Sequence, residues 1–160
     1  MSWTTDASKL LLFSDASFAP ATTTAAASDC KSHTGVAIML AGTLLFWKSY
    51  RQSIVAQSSA EAELYAALDA YQFGTGVAEL LKELFGQSVK KELVVDSSAT
   101  VGILTDSKTT NWRTRHLKIK GAGIREAYQN NDLAISHTSG LTQVADVFTK
   151  AFDQNTLLRF

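Results

Sequence analysis

Two apolar runs in this chain each end at an aspartate. Residues 9–13 (KLLLF) lead through Ser14 to Asp15, and Leu93-Val94-Val95 leads directly to Asp96. Short apolar and β-branched runs of this kind make buried strands. An acid at the carboxyl end of a strand, just before a helix start, lies where open α/β sheets place their ligands. Taken alone, Asp96 is better explained as a turn or helix-capping residue; the repetition at Asp15 is what suggests chemistry. If the two strands are parallel neighbours, the two carboxylates stand side by side. Glu63 and Asp146, each near a predicted helix start, can complete a cage of four. Like charges gathered at one point push each carboxyl toward its neutral form. Divalent cations between them relieve that repulsion. Oxygen-only ligands select hard ions, Mg2+ or Mn2+, over zinc. Two such ions about 3.5–4 Å apart stabilise both the attacking and the leaving oxygen in phosphodiester hydrolysis.

The elements that must position these acids follow from periodicity. After the strand at 9–13 comes a small-residue loop over 17–32. Residues 34–40 (TGVAIML) and 43–50 (TLLFWKSY), joined by Ala41-Gly42, read as an antiparallel hairpin. Ser58 followed three residues later by Glu61 is a capping box, so a helix starts there. Leu64, Ala67, Leu68 and Tyr71 form its buried face. The capping role occupies Glu61. Glu63 is left either as a solvated acid favoured by the helix dipole or as a carboxylate pointing into a cleft. Gly74 and Gly76 interrupt the pattern, and residues 77–85 resume it as a second helix or a kinked continuation closed by Gly86. Beyond the Asp96 strand, Ser97 or Ser98 caps a helix that buries Val101 and Leu104. A helix within 111–130 ends near Gln129, and residues 133–136 (LAIS) make a last strand. Thr142 caps a final helix carrying Val144, Val147, Phe148 and Phe152, with Asp146 in its first turn on the side away from Val144 and Val147. A leading hairpin with later strand–helix crossovers implies a mixed sheet with helices on its faces.

Bulk composition narrows the class. The chain has 160 residues, is 46% hydrophobic and contains one proline, which suits a single domain spanning 1–160. Fifteen basic and fifteen acidic residues give zero formal charge, so total charge points to neither nucleic acid nor membrane. No apolar run approaches the roughly 20 residues that span a bilayer. Cys30 is the only cysteine and has no disulfide or zinc companion, as expected of a reduced, intracellular chain. Charge is nevertheless uneven. Between Ser107 and Arg125 the basic residues Lys108, Arg113, Arg115, Lys118, Lys120 and Arg125 occur with His116 and Trp112 and without an acid. Such a run is either a solvated basic helix or a phosphate-binding stretch.

The surroundings of Asp15 (LLLFSDAS), Glu63 (AELYAAL), Asp96 (LVVDSSA) and Asp146 (QVADVFTK), in this order, resemble ribonuclease H. More narrowly, the chain resembles the ribonuclease H domain of copia-type LTR-retrotransposon polyproteins. The specific parts are the block from Ser58 to Glu63 (SSAEAE), Arg113-Thr114-Arg115-His116, and Ala145-Asp146 through Thr149-Lys150. The resemblance implies an α/β ribonuclease H-like fold, a five-stranded mixed sheet of order 3-2-1-4-5 with strand 2 antiparallel to the rest. It implies an endonuclease that cuts the RNA strand of an RNA/DNA hybrid during reverse transcription, using two Mg2+ ions, for which Mn2+ can substitute. Asp15, Glu63, Asp96 and Asp146 are then the catalytic and metal-binding residues. Glu63 is chosen because the family's glutamate heads a Glu-Leu-x-Ala-Ala pattern.

Ser17, Ser98 and Thr100 are candidates for contacts to the hybrid backbone, and Arg113, Arg115, His116 and Lys118 for phosphate binding, with Arg113 and His116 alternatively architectural. Recognition of the hybrid would rest on 2′-OH groups and groove shape. His137 is either a counterpart of the mobile histidine of cellular ribonucleases H or a rim residue. Three features depart from relatives: Ser17-Phe18 in a longer loop, Ser97 in place of an asparagine, and Gly121-Ala122 in place of a Tyr-His pair. The implied context is a domain excised from a longer polyprotein, partnered there by the polymerase domain, monomeric in isolation, away from membranes, and cytoplasmic within virus-like particles. The alternatives are an inactive ribonuclease H-like module that only tethers nucleic acid, and an integrase- or resolvase-like DNA nuclease of the same fold.

Overall fold

The first apolar run becomes the central strand of a five-stranded sheet. A computed structural model of the chain describes residues 6–18, 30–105 and 115–150. The strands are β1 (Lys9–Ser17), β2 (His33–Leu40), β3 (Thr43–Arg51), β4 (Lys90–Val95) and β5 (Leu133–His137). They lie in the order β3-β2-β1-β4-β5. β2 is antiparallel to both β1 and β3, whereas β1–β4 and β4–β5 are parallel. This is the order and sense the sequence resemblance implies. Ala41 and Gly42 both take positive φ (51° and 78°), the backbone twist that suits a two-residue hairpin turn.

Side chains alternate across β1. Leu10 and Leu12 enter the larger core with Val36, Ile38, Leu64, Ala67, Leu93 and Leu104. Leu11 and Phe13 face the other way and pack with Ala37, Met39, Val94 and Ala145. Period-2 alternation with both faces covered is what a central strand requires.

The larger core is closed by α1, a single helix over Ser59–Phe85. Its start is as expected: Ser58 accepts a hydrogen bond from the Glu61 N–H at 3.1 Å. Its end is the left-handed Gly86, whose N–H reaches the Lys82 carbonyl at 2.8 Å. The two interior glycines do not break it. A Cβ at Gly74 would lie 2.3 Å from a Leu12 methyl, so this glycine lets the helix sit close on β1. Burial of the helix face outweighs the roughly 1 kcal/mol that each interior glycine costs.

Three shorter helices follow: α2 (Ser98–Thr105), α3 (Arg115–Lys120) and α4 (Ala122–Gln129). The helix anticipated within 111–130 is thus divided at Gly121, although it ends at Gln129 as expected. The final helix is corrected. Residues Gly140–Thr142 and Val144–Phe148 form two short 3-10 turns. Thr142 does not cap the second; the Gln143 side chain accepts from the Ala145 N–H. Gln143 itself is extended (ψ 104°), because its side chain is drawn into the sheet, and the backbone beyond it closes i→i+3 bonds such as Thr149 N–H to Asp146 C=O. Phe152 lies outside the described residues.

Candidate active site

The parallel pairing of β1 and β4 ends at Phe13 opposite Val94. Asp15 and Asp96 come just beyond it, where the strands separate. Glu63 reaches the same point from the second turn of α1 and accepts a hydrogen bond from the Ala16 N–H. One carboxylate oxygen from each of Asp15, Glu63 and Asp96 lies within 4.8 Å of the others. Asp146 arrives from the second 3-10 turn and is buried, in side-chain contact with Asp15. Of the two glutamates at the start of α1, Glu61 is the structural one. It accepts from the Gln57 N–H (2.8 Å), from Lys120 Nζ (2.8 Å) and from the Tyr65 hydroxyl.

Burial and mutual repulsion set the charge of this cluster. Desolvation, reinforced by Asp15 and then Asp96, raises Glu63 to about 9. Asp96 is raised by its burial and by Asp15. Asp146 is raised to about 6 by burial, with Asp15 adding to the shift and Lys150 opposing it. Burial pushes Glu61 the same way, but its hydrogen bonds from Lys120 and the Gln57 N–H win, and its carboxyl is held below the usual value. Glu63, Asp96 and Asp146, unlike Glu61, therefore carry the signature of groups gathered against their own electrostatics. Two of its oxygens, Glu63 Oε2 and Asp146 Oδ1, are buried without a hydrogen-bond partner. An all-oxygen donor set with unsatisfied buried lone pairs fits a hard divalent cation.

Two residues that bring the acids together were not singled out from the sequence. Gln143 is fully buried. Its amide donates to the carbonyls of Ser14 (3.0 Å) and Val94 (3.4 Å), joining β1 and β4 where their own pairing stops and three residues before Asp146. Gly35 stands opposite Asp15 on β2. A Cβ there would lie 2.7 Å from the Ala145 carbonyl oxygen and 2.7 Å from Thr149 Cγ2. Gly35 thus admits the Asp146 turn to the sheet. A glycine inside a strand whose other residues include Thr34, Val36 and Ile38 was the available signal. Gly35→Ala is expected to displace this turn, lowering stability by about 1–3 kcal/mol and weakening divalent-cation binding. Denaturant melts and calorimetry with Mn2+ check both.

The candidate substrate residues divide. Ser17 ends β1 and is partly exposed, and Ser98 opens α2 and is exposed. Thr100 is a correction. It is fully buried, and both its N–H and its hydroxyl are given to Ser97 Oγ, so Ser97 caps α2 and Thr100 presents no atom to a ligand. Arg115 and His116 are exposed on α3 and Lys118 is partly so; Arg113, with Lys108 and Trp112, lies outside the described residues. The basic run is partly consumed internally. Lys120 holds Glu61 and lies over the Tyr65 ring. Arg125 donates to the Ile103 and Lys118 carbonyls. The end of α3 is thereby fastened to the first turn of α1, two residues before Glu63. His137 is exposed at the end of β5, with its ring 3.0 Å from the Asp96 carbonyl oxygen.

The chain is 28% identical over 120 residues, 75% of its length, to the Ty1-NL2 and Ty1-DR6 Gag-Pol polyproteins of Saccharomyces cerevisiae. It spans about 7% of the length of these curated relatives. No family model matches it. Among solved structures it is similar to LC11-RNase H1, isolated from compost (TM-score 0.64, 20% identity, 88% of this chain and 92% of that one). It is also similar to LC11-RNase H1 in complex with an RNA/DNA hybrid (TM-score 0.57, 19% identity, 87% and 92%). A third is an N-terminal ribonuclease H domain from Mycobacterium tuberculosis (TM-score 0.54, 12% identity, 88% and 95%).

Proposed function

We propose that this chain, which has a ribonuclease H fold and is related in sequence to copia-type Gag-Pol polyproteins, is an endoribonuclease for the RNA strand of RNA/DNA hybrids. The observation that carries this reading is the convergence of three carboxylates within 4.8 Å at the split between β1 and β4, with Asp146 buried beside them. Asp15, Glu63 and Asp96 would hold one Mg2+ ion, and Asp15 with Asp146 a second; Mn2+ can replace either. When bound, such ions supply stabilisation of the attacking and leaving oxygens in phosphodiester hydrolysis. The chain's own residues do the positioning. Asp15 belongs to both halves of the cluster, so its carboxylate fixes the distance between them. Gln143 keeps its strand against that of Asp96. Arg115, His116 and Lys118 on α3 offer donors to backbone phosphates, and Ser17 and Ser98 stand at the ends of β1 and α2. Such contacts place the duplex without reading its sequence.

In this reading residues 1–160 form a single domain whose partners are the hybrid and, in a parent polyprotein, the reverse transcriptase polymerase domain. The domain acts as a monomer inside cytoplasmic virus-like particles. Among the described residues no helix is long and apolar enough to cross a membrane.

The proposal is tested with a panel of duplexes. RNA/DNA, RNA/RNA and DNA/DNA, each end-labelled, are incubated with the chain in Mg2+ or Mn2+. Cleavage confined to the RNA of the hybrid is expected. Cutting of duplex DNA points to an integrase-like nuclease instead, and binding without cutting to a tether.

Loading cations must also expel protons. Between pH 4.5 and about 9 the metal-free folded chain holds a proton on Glu63 that the unfolded chain has already lost. Metal-free stability therefore falls as pH rises through this window. Asp146, raised to about 6, adds to the fall in its lower part. In EDTA the melting temperature is expected to be higher at pH 6 than at pH 8, and millimolar Mg2+ to reverse most of that difference at pH 8. A metal-free melting temperature that rises with pH would contradict the shifts.

A further inference from the structure

Lys150 lies among the acids rather than beside them. Its Nζ is 2.8 Å from Asp146 Oδ2 and 3.7 Å from Asp15 Oδ1. Both carboxylates are nearly inaccessible, with side-chain exposures of 6% and 2%, while the lysine side chain is 42% exposed. Its charge is also felt at Glu63 and Asp96. An exposed ion pair would contribute little, but here one ammonium faces two buried carboxylates. The three acids that converge within 4.8 Å do not include Asp146. The Asp15–Asp146 side of the cluster is thus the part the lysine neutralises. Even so, Asp146 Oδ1 remains without a partner, so the ammonium satisfies this carboxylate incompletely. A flexible four-carbon stem lets the ammonium retreat to solvent.

We propose that Lys150 is a built-in counter-ion that holds the cation position between Asp15 and Asp146 and is displaced when a divalent ion enters there, thereby setting the affinity of that half of the cluster. This rests on the cation-dependent reading of the site given above. The displacement differs from simple ligand loss because its sign is opposite: removing Lys150 strengthens cation binding, whereas removing a carboxylate weakens it.

The experiment is calorimetric titration of the full chain with Mn2+, without nucleic acid, for wild type, Lys150→Met and Lys150→Arg, alongside thermal melts in EDTA and in Mn2+. Lys150→Met is expected to bind the weaker of the two ions at least tenfold more tightly. It is expected to melt lower than wild type in EDTA and to recover in Mn2+. Lys150→Arg, which keeps the charge, is expected to stay within about threefold of wild type. Mn2+ binding that is unchanged or weakened in a folded Lys150→Met overturns the counter-ion role and leaves the cation site standing. An affinity in Lys150→Arg raised as much as in Lys150→Met also overturns it, because charge would not be the cause. Binding by neither wild type nor Lys150→Met overturns both this role and the reading beneath it.

Discussion

Replacing Asp96 with Asn is expected to slow hybrid cleavage by roughly 10³-fold or more, equivalent to about 4 kcal/mol of transition-state stabilisation, while leaving the fold intact. Asparagine is nearly isosteric, so packing at the end of β4 is preserved. What disappears is one carboxylate of the three that converge. In the metal-free chain its charge is unfavourable: burial, then Asp15, push the Asp96 carboxyl up. Asp96→Asn should therefore melt above wild type in EDTA by a few degrees, because the cost of burying this charge and its repulsion by Asp15 are both removed. In Mg2+ it should gain little, because the ion no longer has its full set of ligands. The pairing of lost activity with raised metal-free stability separates a ligand from a structural residue, whose loss would lower both. Single-turnover cleavage and paired thermal melts measure the two effects. Unimpaired cleavage would remove Asp96 from the mechanism.

Gln143→Leu is expected to be the most damaging change outside the acids. The side chain is fully buried and makes three hydrogen bonds, to the Ser14 and Val94 carbonyls and from the Ala145 N–H. Leucine fills a similar volume but leaves those three backbone groups without partners, each at about 1–3 kcal/mol. Allowing for relaxation, a loss of roughly 3–5 kcal/mol and a melting temperature lowered by roughly 10 °C are expected. The functional effect has a separate origin. The clamp joins β1 and β4 one residue before Asp15 and two before Asp96, so loosening it spreads the carboxylates, and a displacement of about 1 Å can cost 10²-fold in rate. Gln143→Glu, with the same shape, replaces the donor with an acceptor facing two carbonyls and should be at least as harmful. Cleavage rates at a temperature where each variant is fully folded distinguish misplacement from unfolding. Wild-type rates in folded Gln143→Leu would contradict the clamp.

Much of this arrangement was legible in the chain because it is local. Apolar runs ending in Asp15 and Asp96 state both the strand and where it stops. The capping box at Ser58 assigns Glu61 to the helix start and so releases Glu63, and in the structure Glu61 is indeed held by the Gln57 N–H and Lys120. What the sequence hid depends on contacts between distant segments. The continuity of α1 through Gly74 is decided by Leu12, on another element. The last segment was anticipated as a helix because Val144, Val147 and Phe148 fit a helical period. Its 3-10 form comes from Gln143 turning into the sheet, which no local pattern encodes. Thr100 appeared available as a small polar residue after Asp96, yet its hydroxyl is committed to Ser97. The basic run has a similar lesson: Lys120 and Arg125 serve Glu61 and two carbonyls, so a basic residue in the sequence is not by that fact one that faces a phosphate backbone.

The most direct measurement is cleavage of an RNA/DNA hybrid carrying distinct labels on its two strands, by wild-type chain across a Mg2+ titration, with EDTA as the zero point. The predicted result is RNA fragments that appear with rising Mg2+, intact DNA at every concentration, and no product in EDTA. Cutting that persists in EDTA, or cutting of the DNA strand, would contradict the assignment of Asp15, Glu63, Asp96 and Asp146 as a cation-dependent centre for hybrid RNA.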